Sequence, residues 1–246
     1  MVKDWTRAEL KGMARSALRS NYLPCVLAGF IFILITGAGS AAYAGHPSGH
    51  DPHHFIMYTG TVITLLAGSC VFAVFVSNPL LCGTALFFTR NTSERAEVKL
   101  LLSPFSQDYF NTLKVMLIMD LKIILWSLLL IVPGIIKAYE YRMVPYLLGE
   151  NPGMSANKAF ALSSDMMNEN KWDAFVLDLS FILWNILSGI TFGLAGIFYV
   201  FPYMCQTNAN LYIRLKDTSG PDDNYIEELI LTPDVTVADA AYEIIE

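Results

Sequence analysis

Two long stretches without charge dominate the first third of this chain. No Asp, Glu, Lys or Arg occurs between Arg19 and Asp51, and none between Asp51 and Arg90. A helix needs roughly 20 apolar residues to cross the hydrocarbon core of a bilayer. A water-soluble helix would show a polar residue every third or fourth position, and residues 22–44 and 57–77 show no such stripe. Composition agrees: 54% of the 246 residues are hydrophobic and 15% charged, against about 25% charged in a soluble domain. The expected fold class is all-α, a polytopic membrane helical bundle.

The pattern predicts six transmembrane segments, at about 22–44, 57–77, 115–132, 134–149, 173–189 and 191–213. They pair as three in–out–in hairpins. Breaks are expected at Asn78-Pro79 and Pro133-Gly134, because proline lacks the N–H and crowds the preceding turn. The returning arm of each hairpin carries a proline near its end: Pro79, Pro145 and Pro202. Trp126 precedes Pro145, and Trp184 precedes Pro202, by nearly equal distances, which hints at an internal repeat. With the amino terminus inside, 13 Lys and Arg fall in cytoplasmic parts and none in outer loops. That asymmetry puts both termini in the cytoplasm.

Residues 6–20 open with a capping pattern, Thr6-Arg7-Ala8-Glu9. Arg7, Lys11, Arg15 and Arg19 then recur on one face, so a basic amphipathic helix is expected at the membrane surface. Residues 153–172 read as a second cytoplasmic amphipathic helix, capped by Ser155. Its stripe of Ala159, Leu162 and Met166, with Phe160 and Met167 beside it, would dock a protein partner or lie on the bilayer. The net charge of −6 divides unevenly. Residues 217–246 hold nine acidic residues and no basic one, which predicts an acidic, poorly ordered cytoplasmic tail beside an integral membrane domain of residues 1–216. The tail is a second place for a protein partner.

Six ionisable residues fall inside the predicted spans: Asp120, Lys122, Lys137, Glu140, Arg142 and Asp178. Each would cost roughly 2.5–3.5 kcal/mol at a lipid-facing helix centre, so they should face inward and pair. Depth counting pairs Arg142 with Asp178. Lys137 and Glu140 pair as i,i+3 neighbours. Lys122 reaches toward the cytoplasmic face, and Asp120 is left to Arg142, Lys137 or water. Tyr199, Tyr203, Gln206 and Asn210 share one helical face, and Asp178 and Asn185 another. These faces either line a polar cavity or bond between helices as packing contacts.

Other features carry less chemistry. His46, His50, His53 and His54 lie in one outer loop with Asp51. They are the only metal candidates, in a Gly- and Pro-rich turn that does not pre-organise ligands. Cys25, Cys70, Cys82 and Cys205 lack metal or disulfide spacing. No nucleophile, phosphate-loop or metalloprotease motif is present. The sequence therefore implies no catalytic residue, no cofactor and no nucleic acid, with the lipid bilayer as the principal partner.

The segment "LLLIVPGIIKAYEYRMVPYLLGENPGMSANKAFALSSDMMNENKWDAFVLDLS" and the opening "TRAELKGMARSALRSNY" resemble an uncharacterised bacterial family of multi-pass membrane proteins, a domain of unknown function. The resemblance spans roughly residues 5–215 and is most specific from Pro133 to Trp172. That family is distantly similar to membrane domains fused to glycerophosphodiester phosphodiesterases, whose catalytic residues lie in a soluble domain with no counterpart here. The resemblance implies a fold and a place in the bacterial cytoplasmic membrane, and no activity. The expected function is a non-enzymatic structural or accessory protein: a scaffold, assembly factor or sensor partner. The alternative is a transporter or channel-like protein for a small polar or lipid-like solute. An intramembrane enzyme acting on lipid is a distant third.

Overall fold

A computed structural model describes residues 5–37, 62–64 and 67–218. The histidine loop and nearly all of the acidic tail lie outside the described residues. Among the described residues every regular element is helical. Helix α1 (Arg7–Ser20) is capped by Thr6, whose Oγ1 accepts from the Glu9 N–H at 3.2 Å. The chain then bends by 102° into α2 (Tyr22–Gly37). A helical stretch follows that contains a π-turn, Ala73–Ser77, and continues as α3 (Asn78–Ser93). Short turns at Val98–Leu102 and α4 (Ser103–Ser106) lead to α5 (Tyr109–Leu129). Next come α6 (Ile131–Glu140), α7 (Val144–Glu150), α8 (Ala156–Met167), α9 (Lys171–Leu179) and α10 (Ile182–Ile190). A second π-turn, Gly196–Val200, opens α11 (Phe201–Thr218).

Pro79, Pro145 and Pro202 each stand second in a helix that restarts after an irregularity: a π-turn before α3 and α11, a turn at residues 141–143 before α7. A ring that removes one backbone donor and crowds the preceding carbonyl is accommodated by such a widened or interrupted turn. Pro133 does the opposite of what the sequence suggests. It lies in the first turn of α6, where its missing N–H has no helical partner to lose. The chain reverses one turn earlier, at the single extended residue Leu130. Gly134 then lets α6 lie against α5: a Cβ there would stand 2.7 Å from the Ser127 Cα.

The molecule has two unlike halves. In one, α3 and α11 form a central pair covered by α1, α7 and α8. Phe87, Phe88, Leu148, Met167, Tyr203 and Tyr212 are enclosed there. In the other, the ends of the α5–α6 hairpin and of α10 with the following turn present large apolar side chains outward. Leu128 is 83% exposed and Phe192 98%, with Leu125, Leu129, Ile131, Leu183 and Ile190 alongside. Water-soluble monomers rarely expose so many large apolar side chains, and the surface is compatible with a membrane.

Several expectations are corrected. Two helices are long and apolar enough to cross a membrane, Val62–Ser93 and Lys171–Ile190, or three if the bent α1–α2 pair counts as one; six spans are not confirmed. Asp120 and Lys122 interrupt the apolar run of α5, and the turn at 141–143 divides the predicted fourth segment. The face of α1 expected on the membrane surface is spent inside the protein: Leu10, Ala14 and Leu18 are buried. The 153–172 segment is two helices, broken at residues 168–170 with Glu169 at φ 60°. Its apolar stripe is internal too, since Ala159, Phe160, Leu162, Met166 and Met167 are all buried.

Gly134→Leu should therefore separate α5 from α6 and lower stability by about 1–3 kcal/mol, the usual range for overpacking. Gly12→Ala, on an exposed stretch of α1 where nothing lies within 4 Å of a new Cβ, should raise stability by about 0.5–1 kcal/mol. Thermal unfolding of the purified protein in detergent measures both.

Candidate functional site: a charged layer at the helix interruptions

The ionisable residues gather where the helices are interrupted. Arg142 lies in the turn between α6 and α7, and Asp178 near the end of α9, where the Ser180 hydroxyl donates back to the Leu177 carbonyl, a bond that often bends helices. Arg142 lies twelve residues beyond the Leu130 turn, and Asp178 twelve before Ile190 at the end of α10. At 1.5 Å per residue both are roughly 18 Å from their tips, so the two side chains meet level. Arg142 Nη1 and Nη2 donate to Asp178 Oδ2 and Oδ1 at 2.6 and 2.7 Å. The Tyr139 hydroxyl donates to Oδ2 at 2.8 Å, and Nη2 also donates to Asn208 Oδ1 at 2.8 Å. This planar fork, closed on both sides, joins the α6–α7 turn to α9 and α11.

A second group surrounds Glu140. Its Oε1 accepts from Lys137 at 2.7 Å, as the spacing predicts, and its Oε2 from Lys171 at 3.0 Å. The Lys122 ammonium sits 3.9 Å from the Phe160 ring centre and 5.5 Å from that of Tyr141. Asp120 meets neither Arg142 nor Lys137; it accepts from Asn78 Nδ2 at 2.6 Å, beside the first π-turn.

The polar face of α11 does not converge on this layer. Tyr203, Gln206 and Asn210 are fully buried and look toward α1 and α3. Gln206 Nε2 donates to the Phe88 carbonyl and to Thr92 Oγ1, and Thr92 donates to Asn210 Oδ1. Asn210 Nδ2 reaches the Leu10 carbonyl of α1. Tyr199 stacks between Trp184 and Tyr203. Asn185 is exposed on α10, away from Asp178's partners. Of the two arrangements open to these stripes, the structure supplies interhelical bonding.

Sequence reasoning missed the centre of that network. Asn91 accepts from Asn21 Nδ2 at 2.7 Å and donates to Gln206 Oε1 at 2.8 Å and to Cys25 Sγ at 3.3 Å. Asn91-Thr-Ser reads formally as a glycosylation sequon, yet the asparagine is buried. The usable signal was an amide at the end of an apolar helix, matched by another, Asn21, at the α1–α2 bend. Lys171 was also missed, because it lies just outside the predicted fifth segment. On α1, Lys11 turns inward and donates to Ser180 Oγ at 2.6 Å. Its burial, then the like charges of Arg15 and Arg7, push its ammonium below the ordinary lysine pKa.

An open groove of about 410 Å³ runs between α1 and the end of α3, lined by Met13, Ser16, Asn91, Thr92 and Arg95 among others. No member of the charged layer lines it.

Residues 128–219 match a protein family described as a protein of unknown function (DUF975). The matched segment contains Lys137, Glu140, Arg142, Lys171 and Asp178, and begins just after Asp120 and Lys122. No curated protein and no solved structure matches the chain, and nothing here bears on the resemblance to domains fused to phosphodiesterases.

Asn91→Ala would strip partners from Asn21 and Gln206 at once. It should cost about 1–3 kcal/mol, whereas Asn185→Ala on the exposed side of α10 should change stability by no more than about 0.5 kcal/mol. Parallel thermal melts of the two variants check the difference.

Proposed function

We propose that this chain is a non-enzymatic integral membrane protein of the structural or accessory kind, a rigid helical body that assembles with or supports other membrane components. The carrying observation is that most of its interior polar side chains bond to one another, the hydroxyls of Thr89, Thr112 and Tyr203 being the buried exceptions among the described residues. The Arg142–Asp178 fork is closed by Tyr139 and Asn208, and the amides of α3 and α11 bond across their interface. Groups committed in this way set helix register and leave few free to bind and release a solute. The apolar surface of the α5–α6 hairpin and α10 supports insertion in a bilayer. The placement of 13 basic residues supports six inserted segments, paired as three hairpins, with both termini on the cytoplasmic side of a bacterial inner membrane.

A transporter is the second reading. The observation favouring it is the pair of π-turns ahead of Pro79 and Pro202, because such turns recur at functional sites. Proteoliposomes carrying a pH dye inside separate the two. The structural reading expects proton and solute leakage equal to that of empty vesicles, for the wild type and for Asp178→Asn alike. A solute-dependent flux that a folded Asp178→Asn variant abolishes would replace it with the transporter.

A further inference from the structure

We propose that Lys122, Lys137 and Lys171 form a seat for the phosphate of an anionic phospholipid at the base of the α5–α6 hairpin. The inference rests on the membrane reading above and goes beyond it by naming a ligand.

Charge is the first argument. Lys137 and Lys171 pair with one carboxylate, Glu140, and Lys122 adds a third positive charge over the ring of the neighbouring Tyr141, an excess of two. The Arg142–Asp178 fork is neutral and does not offset it. Glu140 is turned inward, its side chain 11% exposed, while those of Lys137 and Lys171 are 27% and 32% exposed. Each ammonium carries three N–H donors, and Glu140 takes one from Lys137 and one from Lys171. Lys122 has no ion pair among the described residues and is held only by the faces of Phe160 and Tyr141. Lys137 also lies against the Tyr141 ring, its ammonium 5.6 Å from the ring centre.

The second argument is what adjoins the charge. Leu121 and Leu125 flank Lys122 on α5, Ile136 precedes Lys137 on α6, and all three are exposed. The indole of Trp126 is 40% exposed and lies 5.8 Å from Lys137 Nζ. A soluble anion would have no use for this apolar flank, whereas an acyl chain attached to a phosphate would.

The test uses the full-length protein purified in a neutral detergent. Phosphatidylglycerol should raise its Tm saturably, and phosphatidylcholine with the same chains should not. Lys122→Gln should weaken the phosphatidylglycerol effect roughly fivefold, and Lys122→Arg should retain it. Equal shifts with the two lipids, an unchanged affinity in Lys122→Gln, or full protection by inorganic phosphate alone would each overturn the proposal. If Lys122→Gln does not fold, quenching in the wild type decides. Brominated phosphatidylglycerol should quench Trp126, isolated by difference from Trp126→Phe, more than brominated phosphatidylcholine does; equal quenching overturns the site. Alkaline carbonate extraction keeps the two claims apart. A protein that resists extraction yet shows no lipid preference refutes the seat alone, and one that is stripped off refutes the membrane reading and the seat with it.

Discussion

The Arg142–Asp178 fork is the contact on which the architecture turns. Taking an arginine and a carboxylate out of water costs several kcal/mol per ion, and the cost is recovered only with close geometry and satisfied remaining donors. The geometry is close: two parallel bonds under 2.8 Å, with Tyr139 bonded to the carboxylate and Asn208 to the guanidinium. Such a pair adds less to stability than to specificity, because any other register between the two hairpins would strand a charge. The interruption at 141–143 sets Arg142 at the junction of α6 and α7, where it meets Asp178 of α9.

The same logic separates the two halves of the molecule. On one side of the charged layer, α1, α3, α7, α8 and α11 enclose a core stitched by amides, with Asn91 joining α1–α2 to α11. Buried amides of this kind are stable only when fully partnered. On the other side the hairpin ends have apolar surface and few polar partners. That surface is compatible with a membrane, and it ends at the charged layer. The lysines around Glu140 stand at this boundary and keep ammonium donors to spare.

Much of this was legible in the residues. The helical class, the capping of α1 by Thr6, the Lys137–Glu140 neighbours and the meeting of Arg142 with Asp178 follow from periodicity, spacing and the cost of unpaired charge. The missed features share a cause: a one-dimensional pattern does not say what an apolar face packs against. The stripes of α1 and of residues 159–167 were read as meeting membrane or partner, and they meet the chain's own core. Pro133 was read as a stop because a proline after an apolar run usually is, but one position in the first turn of a helix suits it equally well. Asn78 as partner to Asp120, and Lys171 as partner to Glu140, join residues from different segments; only the packed structure brings them together.

The central claim is that the fork couples the α6–α7 turn to α9. A double-mutant cycle on the full-length protein tests it most directly, comparing Arg142→Met, Asp178→Leu and the combination by unfolding in detergent. Each single change should cost about 1–3 kcal/mol, since it leaves the other, part-buried charge without its partner. The double variant should recover much of that loss, giving a coupling of at least about 1 kcal/mol. Additive losses, with the double variant as unstable as the two singles together, would show that Arg142 and Asp178 act independently and would contradict the account.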